Sequence, residues 1–209
     1  MQVKPLITVV MPSYLGNYAN AAKNRETKIL RAIQSVQNQS LKEWELIIIA
    51  DGCQKSVDLL KANSFLEDAR ISLYYIDREG LWSGSPRNAG IHLAKSDYII
   101  YLDIDDSYKT NYLEEVVNEI QDGKPWYYMD DIVYTKNGYE KRRVNYNVLG
   151  KCGTSNVVHR KDCGVTWATK GTYAHDFNFI KELLKIHKNP RKLHAYGYIV
   201  QHIPNVYDV

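Results

Sequence analysis

SDYIIYLDIDDS, Ser96 to Ser107, is the stretch from which the fold of this chain can be read. Tyr98 to Leu102 is an apolar run of strand length, rich in aromatic and β-branched residues, and reads as a buried strand. It breaks off into Asp103, Asp105 and Asp106. Carboxylates crowded at a strand end repel one another unless a cation, a proton or hydrogen bonds neutralise them. Asp103 and Asp105 share one side of an extended segment and Asp106 the other, and a turn after Asp105 could gather them on one ion. Hard divalent cations take carboxylates together with phosphate oxygens, so Mg²⁺ or Mn²⁺ with a phosphorylated substrate suits the cluster. The plainer alternative is a helix cap at Asp106 or Ser107 beside two solvated acids.

Upstream, the chain alternates strands and helices. Leu6 to Met11 and Trp44 to Ile49 are apolar strands, and Ile71 to Ile76 is a third. Between them, Glu26 to Gln37 carries Ile29, Ile33 and Val36 on one helical face, and Ser56 is placed to cap a short helix running to about Phe65. A helix from Pro86 or Arg87 to Lys95 then leads into the acidic strand. Strands that are apolar throughout predict an α/β fold with a mostly parallel central sheet and helices on both faces. In such sheets functional groups collect beyond the carboxyl ends of the strands. Tyr14, Asp51, the loop from Asp77 to Arg87 and the acids at 103–106 all fall there.

Downstream, Asn111 to Gln121 is amphipathic. Trp126 to Tyr134 and Tyr139 to Val144 are extended segments joined at Asn137-Gly138, a hairpin signal. A helix from His175 or Asp176 to His187 and a strand from Ala195 to Val200 complete the pattern. The expected organisation is a single domain over 1–209, with a first half (1–107) that carries the strand-end groups and a second half (108–209) that holds the antiparallel hairpin near 126–145.

The 209 residues suffice for one full core. Lys and Arg exceed Asp and Glu by 27 to 24, with no basic block, so no nucleic-acid partner is expected. Three scattered cysteines fit neither a disulfide scaffold nor a cysteine metal site, and point to a reducing, cytoplasmic setting. No stretch reaches the ~20 apolar residues of a membrane span, so any membrane attachment is expected to be peripheral. The 17 tyrosines suit half-exposed strands and binding surfaces.

Taken together, ITVVMPSY, WELIIIADG and SPRNAGIHLAKSDYIIYLDIDD resemble, in order, the nucleotide-sugar glycosyltransferases of family 2, which have a Rossmann-like single-domain fold. The size and the tyrosines also suit a domain cut from a larger protein, such as a viral one. The resemblance makes 1–107 the nucleotide-binding half and 108–209 the acceptor-side half, and implies roles residue by residue. Pro12, Ser13 and Tyr14 line the base pocket, and Asp51 accepts from the uracil N–H. Arg78 or Arg87 lies near the nucleotide or its diphosphate. Asp105 is near the ribose and the metal, Asp106 is the direct metal ligand, Asp103 holds the loop, and His202 matches a late histidine that reaches the metal or diphosphate. Asp176 is the catalytic base. Trp82, Trp167, Tyr173 and His175 are candidate substrate contacts, and Mn²⁺ or Mg²⁺ is the implied cofactor.

The implied reaction is inverting transfer from a UDP-sugar, UDP-glucose or a similar hexose or deoxyhexose, to a glycan or glycoconjugate hydroxyl. Three departures from the family pattern stand out: His175 where the family often has Glu, Leu15 where Asn is common, and no Gln-x-x-Arg-Trp. The last points to a non-processive enzyme. The alternatives are a nucleotidyltransferase, disfavoured by the absence of a Gly-rich basic loop after the first strand, and an inactive UDP-sugar-binding module.

Overall fold

Strands β1 (Ile7–Ser13) and β2 (Trp44–Asp51) are buried at every position, as strands covered on both faces must be. With β3 (Ile71–Ile76) and β4 (Tyr98–Tyr101) they form four parallel strands in the order β3-β2-β1-β4. Helices α1 (Arg25–Gln37), α2 (Gln54–Lys61) and α3 (Gly84–Leu93) connect them. The structure, a computed structural model, describes residues 4–80, 82–135, 137–170 and 174–202.

Alternation along the strands divides the core into two layers. Ile7, Val9 and Met11 of β1 and Leu46 and Ile48 of β2 pack on Ile29, Ile33 and Val36 of α1 and on Leu113 and Val116 of α4 (Tyr112–Glu119). Val10, Ile47, Ile49, Ile99 and Tyr101 face the other way, onto Ile91 of α3 and Phe179, Ile180 and Leu183 of α5 (His175–Ile186). Each fully buried Val, Leu or Ile contributes about 1.5–3 kcal/mol, so these layers hold the strand ends rigidly.

Beyond β4 the sheet is mixed. Strand β9 (Val157–Arg160) runs antiparallel to both β4 and β6 (Trp126–Tyr128), and β10 (Arg191–Lys192) is parallel to β6. A second sheet orders β5 (Ser107–Tyr108), β11 (Tyr198–Val200), β7 (Asp131–Thr135) and β8 (Gly138–Arg142) as β5-β11-β7-β8. The expectation of a mostly parallel sheet therefore holds for the first half of the chain. It fails after β4 because β9 follows a return loop with no crossover helix.

Three local expectations are corrected. Trp126 to Tyr134 is two strands in two sheets: Met129 and Asp130 carry the chain across, and the hairpin pairs β7 with β8 alone. Ser56 does not cap α2; Cys53 holds the cap position, while Ser56 lies inside the helix and accepts a hydrogen bond from Ser13 Oγ at 2.8 Å. Helix α3 starts at Gly84, ahead of Pro86, because its first turn nests against the 168–169 backbone: a Cβ on Gly84 would meet Ala168 O at 2.0 Å.

Candidate active site

The carboxyl ends of the four parallel strands bring three groups of side chains together. The first is at β1, β2 and the residues after β3. Asp51 is buried at the end of β2, and its Oδ1 has no hydrogen-bond partner among the described residues. Burial raises its pKa, an effect Arg78 opposes. Gly52 takes φ 61°, a left-handed turn, and a Cβ there would strike Arg78 Cβ at 2.5 Å. This close approach seats Arg78, whose guanidinium lies 3.4 Å from the Tyr14 ring centroid. Arg78 Nε donates to Gly80 O at 3.0 Å, and its Nη1 is buried and unpartnered. The Tyr14 face expected to meet uracil is thus covered by Arg78. Pro12 and Ser13 are buried within β1, with the Ser13 hydroxyl on Ser56.

The second group is the acidic turn. The three acids differ sharply in environment. Asp106 is 4% exposed and has both oxygens on protein donors: Gln201 N at 2.7 Å to Oδ1 and Tyr198 Oη at 2.8 Å to Oδ2. Burial, with Asp105 and Asp103 nearby, raises its pKa well above the usual carboxylate value. Tyr198 Oη also accepts from Asp103 N at 3.1 Å. Asp105 instead meets His202, with Oδ2 and Nδ1 2.5 Å apart. That hydrogen bond raises the His202 pKa, against the opposing effect of burial. Asp103 likewise has both oxygens on protein donors, Arg87 and Thr154, but keeps a 36% exposed side chain.

The third group lies around Arg87. This residue is 3% exposed. Its Nη2 donates to Asp103 Oδ1 at 3.1 Å and its Nη1 approaches Asp176 Oδ1 at 3.4 Å. Arg87 Nη1 also lies 2.8 Å from His175 Nε2, itself 2.8 Å from Asp176 Oδ1. The two contacts ask opposite things of that nitrogen. A bare Nε2 suits the guanidinium, and a protonated one suits the carboxylate. Thr154 completes the bridge, its hydroxyl donating to Asp103 Oδ2 at 3.1 Å. Burial alone would raise the Asp176 pKa, but His175, Arg87 and the Thr154 backbone outweigh it and hold the carboxyl below its ordinary value. Asp176 is thus ionised at neutral pH and 30% exposed. The donors of Arg87 that could fork onto phosphate face carboxylates instead.

The aromatic candidates separate. Trp82 is partly exposed, its ring 5.3 Å from that of His175. Trp167 is a core residue, not a substrate contact: it is 2% exposed, stacks on Phe179 at 4.0 Å, and donates from Nε1 to Tyr101 Oη at 2.8 Å. Tyr173 lies outside the described residues.

Sequence reading missed a buried layer beneath Arg87. Tyr101 Oη is 2.6 Å from His159 Nε2, and His159 Nδ1 donates to Arg160 O at 2.8 Å. Burial lowers the His159 pKa to about 4, so the ring is neutral and donates from Nδ1. Tyr198, Thr154 and Gln201 were missed as well. They hold acids that lie 50 to 95 positions away in sequence, and no local pattern marks them.

Among the described residues, no group of three or more His, Cys, Asp or Glu side chains could hold a metal by itself. Asp105 Oδ2 and His202 Nδ1 are engaged with each other, which leaves the second carboxylate oxygen and Nε2 as donors that suit Mn²⁺ if phosphate oxygens complete the shell.

The model of glycosyl transferase family 2 matches residues 21–200, nearly the whole chain. The chain belongs to glycosyl transferase family 2. Among curated relatives of this family, an uncharacterized glycosyltransferase of Haemophilus influenzae is 34% identical over 116 residues, covering 54% of this chain and 42% of that protein. The chain spans less than half the length of the curated relatives reported. S. aureus TarS 1-349, solved in complex with UDP-GlcNAc, superposes with TM-score 0.71 at 14% identity over 93% of this chain and 58% of that one. The mannosyltransferase PcManGT of Pyrobaculum calidifontis, in complex with GDP-Man and Mn²⁺, gives TM-score 0.65 at 12% identity over 97% and 58%. At these identities the two structures establish the fold. The relatives reported are bacterial or archaeal, and nothing in them supports the viral setting. No helix among the described residues is long and apolar enough to cross a membrane.

Proposed function

We propose that the chain transfers a sugar from a UDP-sugar to a hydroxyl of a glycan or glycoconjugate, with inversion, with a divalent metal and one sugar at a time. The observation that carries this reading is the division of the acids into two separately held sets. Asp105 is paired with His202 at one side, and Asp176 is fixed by Arg87, His175 and Thr154 at the other. A leaving group and an attacking hydroxyl need such separate partners.

The base is received between Asp51 and Arg78. Asp51 Oδ1 is a buried acceptor and Arg78 Nη1 a buried donor, both unpartnered. A uracil imide presents the complementary N–H and carbonyl. Tyr14 acts through Arg78, whose orientation its ring fixes. Guanine offers a similar edge, so the preference for UDP is itself under test.

Asp105 and His202 would hold the metal, and Asp106 anchors their loop. When bound, the metal neutralises charge gathering on the diphosphate. PcManGT, which shares the fold, is solved with Mn²⁺, in keeping with a divalent ion here. Asp176, ionised and partly exposed, takes the proton of the acceptor hydroxyl as it attacks the anomeric carbon. Arg87 keeps that carboxylate oriented and ionised. Attack opposite the departing diphosphate inverts the centre. Trp82 and His175 border the space in front of Asp176 and are the acceptor-side contacts. Family membership favours this reading over a nucleotidyltransferase.

The test is Asp176→Asn. Transfer should fall by at least about 10³-fold, in line with loss of a general base, while UDP affinity stays within about twofold. Equal loss of both would move Asp176 into nucleotide binding or folding.

A further inference from the structure

The loop between β8 and the Thr154 turn has no part in the reaction described above, yet it is built with care. Tyr146 is tucked inward, its ring 4.8 Å from Tyr128 and 6.0 Å from Trp126. The tip beyond it turns outward and exposes two neighbouring apolar side chains, Val148 at 45% and Leu149 at 54%. Four of its backbone donors are paired within the loop. Asn145 N donates to Lys151 O at 2.8 Å, Val148 N to Asn145 O at 3.1 Å, and Lys151 N to Val148 O at 3.0 Å. Asn147 N donates to Asn145 Oδ1 at 3.1 Å. Arg143 and Lys151 flank the tip, both exposed and without a partner among the described residues. The nearby acid, Glu140, is already engaged by Thr135 Oγ1 at 3.0 Å.

We infer that the tip formed by Asn145 to Lys151 is a membrane-docking wedge: Val148 and Leu149 enter the interface of an anionic lipid bilayer while Arg143 and Lys151 meet its phosphates. The chemistry of the tip favours a bilayer over a protein groove. Unpaired cations beside exposed aliphatic side chains match the charge and polarity profile of an anionic surface.

The placement also bears on the site. Three residues past the tip, Thr154 binds both Asp103 and Asp176. A docked tip would therefore hold the proposed base close to the membrane, where a lipid-carried acceptor would present its hydroxyl. The docking itself does not depend on the glycosyl-transfer reading.

Sedimentation with vesicles separates these ideas. The protein should bind phosphatidylglycerol-containing vesicles, weakly bind pure phosphatidylcholine, and lose the preference for the anionic vesicles as salt rises. Val148→Asp with Leu149→Asp should reduce binding at least about tenfold. Arg143→Glu with Lys151→Glu should remove the preference for anionic lipid, at about fivefold per cation. All positions are exposed, so an unchanged melting temperature and circular dichroism spectrum will verify the folds. Turnover on a water-soluble acceptor should be unaffected. No binding of the parent protein to anionic vesicles would overturn the inference, as would equal binding by the Val148/Leu149 variant. A parent dimer that this variant splits, with no vesicle binding, would make the tip an interface between copies instead.

Discussion

Arg87 is the residue on which the proposed base depends. Its guanidinium is buried between Asp103 and Asp176, so removing it leaves two carboxylates without their cation. Arg87→Met should cost about 3 kcal/mol, the low end for a broken buried pair because both acids are partly exposed. It should also release the Asp176 pKa upward and shift the acid limb of the transfer–pH profile to higher pH. A melting curve and a pH–rate profile check the two effects independently. His159 gives a second residue-scale expectation. Its folded pKa, about 4, lies below the ordinary 6.5, so the unfolded chain takes up the proton first as the solution is acidified. Stability should therefore fall as pH drops from 6.5 towards 4, by up to about 3 kcal/mol, and level off below. His159→Gln should flatten that slope in urea titrations across the window.

At the scale of elements, α3 is the piece that must sit close. Gly90 lies against β1, and a Cβ there would stand 2.4 Å from Val10 Cγ1. Gly90→Ala should overpack this contact, costing about 1–3 kcal/mol and lowering the melting temperature by roughly 2–4 °C per kcal/mol. Because α3 carries Arg87, transfer should fall as well. Adding Val10→Ala should recover part of the melting loss; no recovery would mean that the strain lies elsewhere. The sequence made the parallel strands, their helices and the strand-end acids legible because each is written in local periodicity. The antiparallel return of β9 was not legible, since a short apolar strand carries no mark of its direction. Nor could the turn show that Asp106 faces inward to Tyr198 and Gln201 while Asp103 stays partly exposed, because those partners come from the far end of the chain. Trp167 was misread for a related reason: a tryptophan before a helix looks the same whether it meets a ligand or Phe179.

For the whole molecule, one cleft should need both a nucleotide-sugar and a divalent ion, since among the described residues no group of three metal ligands gathers and Asp105 with His202 needs phosphate oxygens to complete a shell. His202→Ala should therefore weaken Mn²⁺-dependent binding more than metal-free UDP binding, which rests on Asp51 and Arg78. The most direct measurement is a thermal-shift series with UDP-sugars and GDP-sugars, each with Mn²⁺ and with EDTA. At about a hundredfold excess over Kd, a bound ligand adds about 2.7 kcal/mol, or roughly 5–10 °C for a chain of this size. The expected result is such a shift for at least one UDP-sugar with Mn²⁺, a much smaller one in EDTA, and a smaller shift with any GDP-sugar. No shift by any nucleotide-sugar in the presence of metal, or an equal shift in EDTA, would contradict the account.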